Sequence, residues 1–293
     1  MNTMLKNTIR STDDFITGEK FYSCADMIYS PDIKPEFDDY NIQINTFDIS
    51  KLEGINTIYT HTLYVKYLFD EIKDLPNKFI IITHNSDINV DNFFHIPKNV
   101  VKWFAQNKDN FDTRIIPIPI GLENERWYKE TNKKQKMFDI LKTEKKIKNL
   151  AYMNHNIKTY PQEREHLYIK YSQYTYIDIE RGVNGQFFER YVDNMYNHDF
   201  VFAPRGNGID THRIWEALYM NTIPIVRRNN FTTQLKDLPI CIVDDWCGIT
   251  RKFLLRKKDE ILSKDWNYEK LKFSYWRRVI EDSKLDGNET RIN

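Results

Sequence analysis

The chain has 293 residues, enough for two compact domains. Lys and Arg total 43 against 42 Asp and Glu, a net charge of +1, so no general attraction for nucleic acid or an anionic membrane is expected and anion binding must be local. Three cysteines in no metal-like or disulfide framework, no run of 18 apolar residues and no apolar leader among residues 1–15 together predict a cytoplasmic protein with no membrane span.

Short apolar runs alternate with helical spacings almost from end to end. In the first half, strands are expected at residues 20–24, 41–46, 56–60, 78–83, 100–104 and 114–120. A helix is expected over 63–74, where Leu63, Tyr67, Leu68 and Ile72 share a face. The run 78–83 is continuously apolar, as in a strand covered on both faces. Pro117 and Pro119 confine 114–120 to an edge strand or an extended connection. The lysine-rich stretch 133–148 reads as a solvated linker face around a short helix at 137–141, and the domain junction is placed there. The second half restarts the rhythm with strands at 149–153, 175–179, 200–203, 223–226 and 240–243. Helices are expected at 162–171, 185–196, 211–219 and 249–262, and a last one at 268–280. This alternation predicts an α/β protein with two Rossmann-like domains facing across a cleft: 1–135, 145–265, and a C-terminal helix and tail, 266–293, packing back.

After the strand at 200–203 comes Pro204-Arg205-Gly206-Asn207-Gly208, then Ile209, Asp210, Thr211, His212 and Arg213 leading into a helix. Glycines permit close backbone approach and positive φ. Asp210 or Thr211 is placed to cap the helix, whose free N–H groups favour an anion. Arg205 and Arg213 flank that point with a geometry suited to phosphate. The competing reading is a glycine turn carrying surface arginines. Ligands of open α/β sheets bind outside the carboxyl ends of strands, where this loop falls.

The series Pro-x-Gly-x-Gly, then Arg213-x-x-Glu216-Ala217-Leu218, then Ile223-Pro224-Ile225-Val226 resembles the C-terminal half of exostosin-like glycosyltransferases, over roughly residues 149–262. The resemblance implies the GT-B fold, a nucleotide-sugar co-substrate rather than a cofactor, and a glycan acceptor, with no obligate protein partner. It implies that Arg213 contacts the donor diphosphate and that Glu216 accepts hydrogen bonds from ribose hydroxyls. The other reading of Glu216 is a solvent-facing helix carboxylate. Members commonly carry Ser before the Arg, where this chain has His212, which leaves His212 open as a phosphate donor or a cleft residue. The turn after the strand at 149–153 brings in Asn154 and Asn156 as candidates, and Arg164 in the next helix is a further cation or a plain surface arginine. The loop Arg181-Gly182-Val183-Asn184-Gly185 is expected near the nucleotide base.

The acceptor half is expected to supply the general base. Asp87 and His84, at the carboxyl end of the most apolar strand, are the leading candidates and Glu123 the reserve. An Asx-turn with a helix cap is the competing reading of the first two. Residues 60–62 form another loop facing the same end. Trp103, Trp127 and Tyr128 are candidates for stacking on a sugar or for packing. The resulting expectation is an inverting glycosyltransferase, with a UDP-sugar such as UDP-xylose favoured as donor. Asp-x-Asp, His-x-x-x-His and Cys-x-x-Cys are absent from the sequence, so metal independence is expected. A GDP-sugar (fucosyltransferase-like) enzyme and a non-catalytic nucleotide-sugar-binding module are the alternatives. The Asn-, Lys- and Ile-rich composition points to an A+T-rich genome, and compact exostosin-like enzymes without an anchor occur in large DNA viruses, which would place this one in the host cytoplasm.

Overall fold

The computed structural model describes residues 11–30, 45–125, 133–181 and 188–289. They divide into two compact units, one holding described residues 16–125 and those from 273 onward, the other holding 11–15 and 133–272. Each unit is an α/β layer structure around its own parallel sheet. None of the described helices is long and apolar enough to cross a membrane.

The first unit has strands β1 (Met27–Tyr29), β2 (Asn45–Thr46), β3 (Ile55–His61), β4 (Lys78–His84), β5 (Val100–Ala105) and β6 (Ile115–Pro117), in the order β2-β1-β3-β4-β5-β6. Every pairing is parallel. Strand β4 shows why its sequence is apolar throughout. Phe79 and Ile81 face a cluster with Val65, Leu68 and Ile72 of helix α1 (Val65–Ile72), whereas Ile80 and Ile82 face the opposite cluster with Phe21, Tyr59 and Phe104. Alternation buries both sets only because both faces are covered. Strand β6 stops at Pro117 on the sheet edge, where a missing N–H costs no ladder bond.

Residues 20–24, expected as a strand, instead belong to a 3-10 helix, Gly18–Cys24, and the strand comes later, at Met27. Phe21, Tyr22 and Cys24 all turn into the core, which alternation along a strand does not permit. The helix expected over 268–280 is interrupted at Lys272. A 3-10 turn, Tyr268–Leu271, stays with the second unit, where Tyr219 donates to the Leu271 carbonyl at 2.8 Å. Helix α7 (Phe273–Glu289) then packs Trp276 and Ile280 on the first unit's Tyr59, Ile80 and Phe104.

The second unit begins with α2 (Lys133–Leu141) and continues β7 (Asn149–Asn154), α3 (Pro161–Tyr171), β8 (Ile177–Glu180), α4 (Phe188–Tyr196), β9 (His198–Phe202), α5 (His212–Tyr219), β10 (Ile223–Arg227), β11 (Cys241–Val243) and α6 (Arg251–Leu262). Its strand order is β11-β10-β9-β7-β8, again all parallel. One face is packed by Leu167, Tyr168 and Tyr171 of α3 with Leu254 and Ile261 of α6. The lysine-rich stretch is solvated only in part: Lys142, Lys146 and Lys148 are exposed, as expected, while other lysines are drawn into the unit. Lys133 and Lys134 are buried, Lys136 pairs with Glu189 of α4 at 2.5 Å, and Lys148 pairs with Asp193 at 2.8 Å. Lys145 donates to the Asn221 carbonyl at 2.7 Å, and burial pulls its amine down to about 8.

Candidate functional site

In the second sheet the connection leaves β7 toward β8 on one side and returns to β9 on the other, so the strand order reverses between β7 and β9. Open α/β sheets carry their ligand crevice outside the carboxyl ends of the two strands at such a reversal. Asn154, His155 and Asn156 follow β7, and Ala203 to Thr211 follow β9. The sequence candidates of this half therefore converge on the one place topology prepares for a ligand.

Arg164 ties the two loops together. Its Nε donates to the Arg205 carbonyl at 2.8 Å, its Nη1 to the Asn156 carbonyl at 2.8 Å and to Thr159, and its Nη2 to the Pro204 carbonyl at 3.2 Å. It is a buried brace, not a surface arginine. Burial, then the charge of Arg213, pull its guanidinium down to about 10. Gly206 lets the loop pass over that brace: a Cβ there would meet Arg164 Nη2 at 3.2 Å. Among the described glycines, positive φ occurs at Gly54, Gly121 and Gly248, so neither Gly206 nor Gly208 is used for the left-handed backbone expected of them.

Arg213 stands differently. Its Nε is fully enclosed and has no hydrogen-bond partner, no carboxylate among the described residues pairs with it, and its guanidinium lies 5.7 Å from the centre of the Tyr191 ring. Burial opposes its charge, but the neighbouring Tyr191 and Glu216 leave it above its ordinary value. Tyr191, from α4, donates to Glu216 Oε2 at 2.6 Å. Glu216 is thus buried and hydrogen-bonded one helical turn beyond Arg213, not a solvent-facing carboxylate. Thr211 occupies the N-cap position of α5, yet its buried hydroxyl makes no capping bond and has no partner. Asp210 is committed to Trp215, whose indole N–H it accepts at 2.8 Å.

Arg205 turns back on its own loop, donating to the Gly206 and Asn207 carbonyls at 3.3 and 2.9 Å, with Tyr160 4.5 Å beneath its guanidinium. Asn207 is exposed and His212 half-buried. Asn156 is exposed and caps the short turn after it, accepting from Lys158 N–H at 3.0 Å, so only its carbonyl faces inward, onto Arg164. Asn154 is fully buried and its Oδ1 is unpartnered. His155, between the two asparagines named from sequence, is also fully buried with an unpartnered Nδ1. Burial and the Arg213 charge push its imidazole down to about 3. Sequence reading passed over His155 and Tyr191. The first was signalled by its place at a strand's carboxyl end, the second only by tertiary contact.

In the first unit His84 is buried, with Nε2 3.0 Å from the Pro119 carbonyl and Nδ1 2.7 Å from the Asn85 N–H. Both ring nitrogens are engaged, so taking a proton from a substrate would break a structural bond. Asp87 is exposed, and Glu123 is half-buried with Oε1 accepting from Asn124 N–H at 3.0 Å. His61 Nε2 donates to the Asn85 carbonyl at 2.8 Å, since a carbonyl only accepts. Glu19, not anticipated from sequence, is a buried acid accepting from Glu125 N–H at 3.0 Å. Trp103 is core: its indole donates to Thr83 at 2.9 Å and Phe69 and Phe94 pack edge-on against it. Trp127, Tyr128 and residues 182–185 lie outside the described residues.

Cys24 and Cys241 are buried thiols raised by burial to about 11 and about 12, which makes them poor nucleophiles. Among the described residues no group of three His, Cys, Asp or Glu side chains is disposed to hold a metal ion. No protein-family model matches the chain, and no curated protein matches it.

Proposed function

We propose that the chain is a GT-B glycosyltransferase whose second unit binds a nucleotide-sugar through its diphosphate and whose first unit binds a glycan hydroxyl. One observation carries the reading: Arg213, half-buried, keeps an enclosed Nε without a hydrogen-bond partner beside a helix start whose N-cap hydroxyl is also unpartnered, at the strand reversal of a parallel sheet. An enclosed donor on a half-buried cation costs stability when left unpartnered, and an anionic ligand would supply its acceptor. A diphosphate fits that description, since it brings several acceptor oxygens to Arg213, Thr211 and the positive N-terminal end of α5.

Glu216 supports a ribose beside the diphosphate, because a carboxylate accepts from two hydroxyls and Tyr191 already orients it. The diphosphate leaves as the acceptor hydroxyl attacks the anomeric carbon from the opposite face, inverting the centre. Arg213 and the α5 N-terminus stabilise the charge that grows on the leaving group, so the step needs no divalent cation. Asp87, exposed, and Glu123, half-buried, are the base candidates, since both nitrogens of His84 are engaged in the fold. A UDP-sugar is the favoured donor.

The test is a thermal-shift screen of UDP, GDP, CMP and their sugars against the wild type and Arg213→Ala. A UDP shift in the wild type that vanishes in the variant is expected. No shift with any nucleotide would sink the donor-site reading, a larger GDP shift would replace the donor, and a UDP shift that survives in Arg213→Ala would remove the role of that arginine. Hydrolysis of the sugar nucleotide, reduced on replacing Asp87 or Glu123, separates an enzyme from a binding module.

A further inference from the structure

Two buried polar atoms at the carboxyl end of β7 have a fixed hydrogen-bonding character that phosphate cannot satisfy. Tyr152 donates its phenol proton to Glu180 Oε2 at 2.6 Å, so its lone pair faces Asn154, whose Nδ2 donates to it at 2.8 Å. That chain of bonds leaves Asn154 Oδ1 as a pure acceptor, enclosed and unpartnered. His155 Nε2 lies 3.2 Å from the Arg164 carbonyl, which only accepts, so the ring proton is on Nε2 and the enclosed Nδ1 is a second pure acceptor. Burial, and after it the Arg213 charge, keeps the His155 imidazole neutral, so Nδ1 does not become a donor.

Diphosphate oxygens are acceptors as well. They suit Arg213 Nε–H and the Thr211 hydroxyl, and they would repel Asn154 Oδ1 and His155 Nδ1. A buried acceptor without a donor costs stability, and two on consecutive residues at a strand's carboxyl end suit a ligand that carries O–H or N–H groups. We propose that the Asn154–His155 turn is a hydroxyl-recognising subsite, in which Asn154 Oδ1 and His155 Nδ1 accept from hydroxyls of the sugar being transferred while Arg213 takes the adjoining diphosphate. This rests on the nucleotide-sugar reading and adds a specificity role for two residues on one turn. With Glu216 occupied by the ribose, the hydroxyls left for this turn are those of the transferred sugar. The alternative source, the ribose itself, has the same chemistry and is separable by experiment.

The test uses the full chain and calorimetric titration of pyrophosphate, UDP, 2′-deoxy-UDP, UDP-glucose and UDP-xylose. His155→Phe removes both ring nitrogens. His155→Asn keeps a polar acceptor at the Nδ1 position and gives up Nε2, so it rescues a ligand contact and does not rescue a bond to the Arg164 carbonyl. In His155→Phe, loss of about tenfold in UDP-sugar affinity is expected, with pyrophosphate and UDP within about twofold of wild type and partial recovery in His155→Asn. If the loss extends to UDP and spares pyrophosphate and 2′-deoxy-UDP, the hydroxyls belong to the ribose and the assignment to the transferred sugar is overturned. Unchanged affinity for every ligand, or parallel loss of pyrophosphate, overturns the subsite altogether. Failure of the wild type to bind pyrophosphate or any nucleotide is a failure of the donor-site reading instead. Retained pyrophosphate binding in each variant shows that it is folded around Arg213.

Discussion

Arg164 and Arg213 lie beside the same crevice and answer different needs. Arg164 spends its donors on the Arg205, Asn156 and Pro204 carbonyls and the Thr159 hydroxyl, so its removal strands several acceptors at once. Arg164→Met is expected to cost about 3 kcal/mol or more in urea denaturation. Arg213→Met, which removes a cation with no carboxylate partner, is expected to change stability by less than about 1 kcal/mol while abolishing nucleotide binding, a separation of stability from function typical of ligand sites. His155 adds a pH signature. Its folded value, about 3, lies below the ordinary 6.5, so between those values the unfolded chain binds a proton that the folded one refuses. Stability should therefore fall as pH drops from about 6.5 toward 3, with a slope approaching about 1.4 kcal/mol per pH unit from this residue. In His155→Asn that contribution disappears, which denaturation midpoints at pH 7, 5.5 and 4.5 would detect as a flatter profile.

At the scale of elements, long periodic segments were legible and short ones were not. The apolar run of β4 and the helix α1 stand out because each repeats one spacing over several residues, but of the stripe expected for α1 only Leu68 and Ile72 are buried; Leu63 and Tyr67 are exposed, and Val65 and Phe69 complete the inward face. The 3-10 helix Gly18–Cys24 has no such period, and its conformation comes from what surrounds it. A Cβ on Gly18 would lie 2.0 Å from Asn85 Oδ1 and 2.6 Å from His84 Nδ1, so a side chain at this position has no room. Gly18→Ala is expected to cost about 1–3 kcal/mol, read as a lower denaturation midpoint, because His84 and Asn85 are themselves tied into the sheet. Helix α7 belongs to the first unit through Trp276 and Ile280. Ile280→Ala, at a fully buried position, should cost about 2–5 kcal/mol. On the proposed function the same variant should bind UDP as the wild type does, since α7 packs on the first unit's sheet and the candidate donor site is at the second.

The whole molecule is two parallel sheets with separate cores, and the candidate donor site lies within one of them. Hydrogen exchange with UDP present is therefore expected to gain protection at β7, β9 and the first turn of α5, with β4 and β5 unchanged. Equal protection in both sheets would show that the nucleotide is not confined to the second unit. Arg205, Gly206, Thr211, Arg213 and Glu216 were legible as a group because they are nearly contiguous, so local chain geometry suffices to bring them together. Arg164 was legible only as a cation. Its role as the clasp between two loops depends on a contact spanning 41 residues. His84 was named as a base from its place at a strand end, and only the Pro119 carbonyl, 35 residues away, shows its nitrogens engaged.

From the sequence alone, alternating apolar periods determine an α/β chain with a doubled rhythm, and the run from Pro204 to Glu216 determines a loop and helix start suited to an anion. These follow from interactions between residues close in the chain. The tertiary structure alone decided that β7 and β9 flank the strand reversal and that α7 completes the first sheet. It also decided that Asn154 and His155 present acceptors while Arg213 presents a donor. Each of those depends on which distant groups have already taken a residue's hydrogen bonds, and that allocation exists only once the chain is folded.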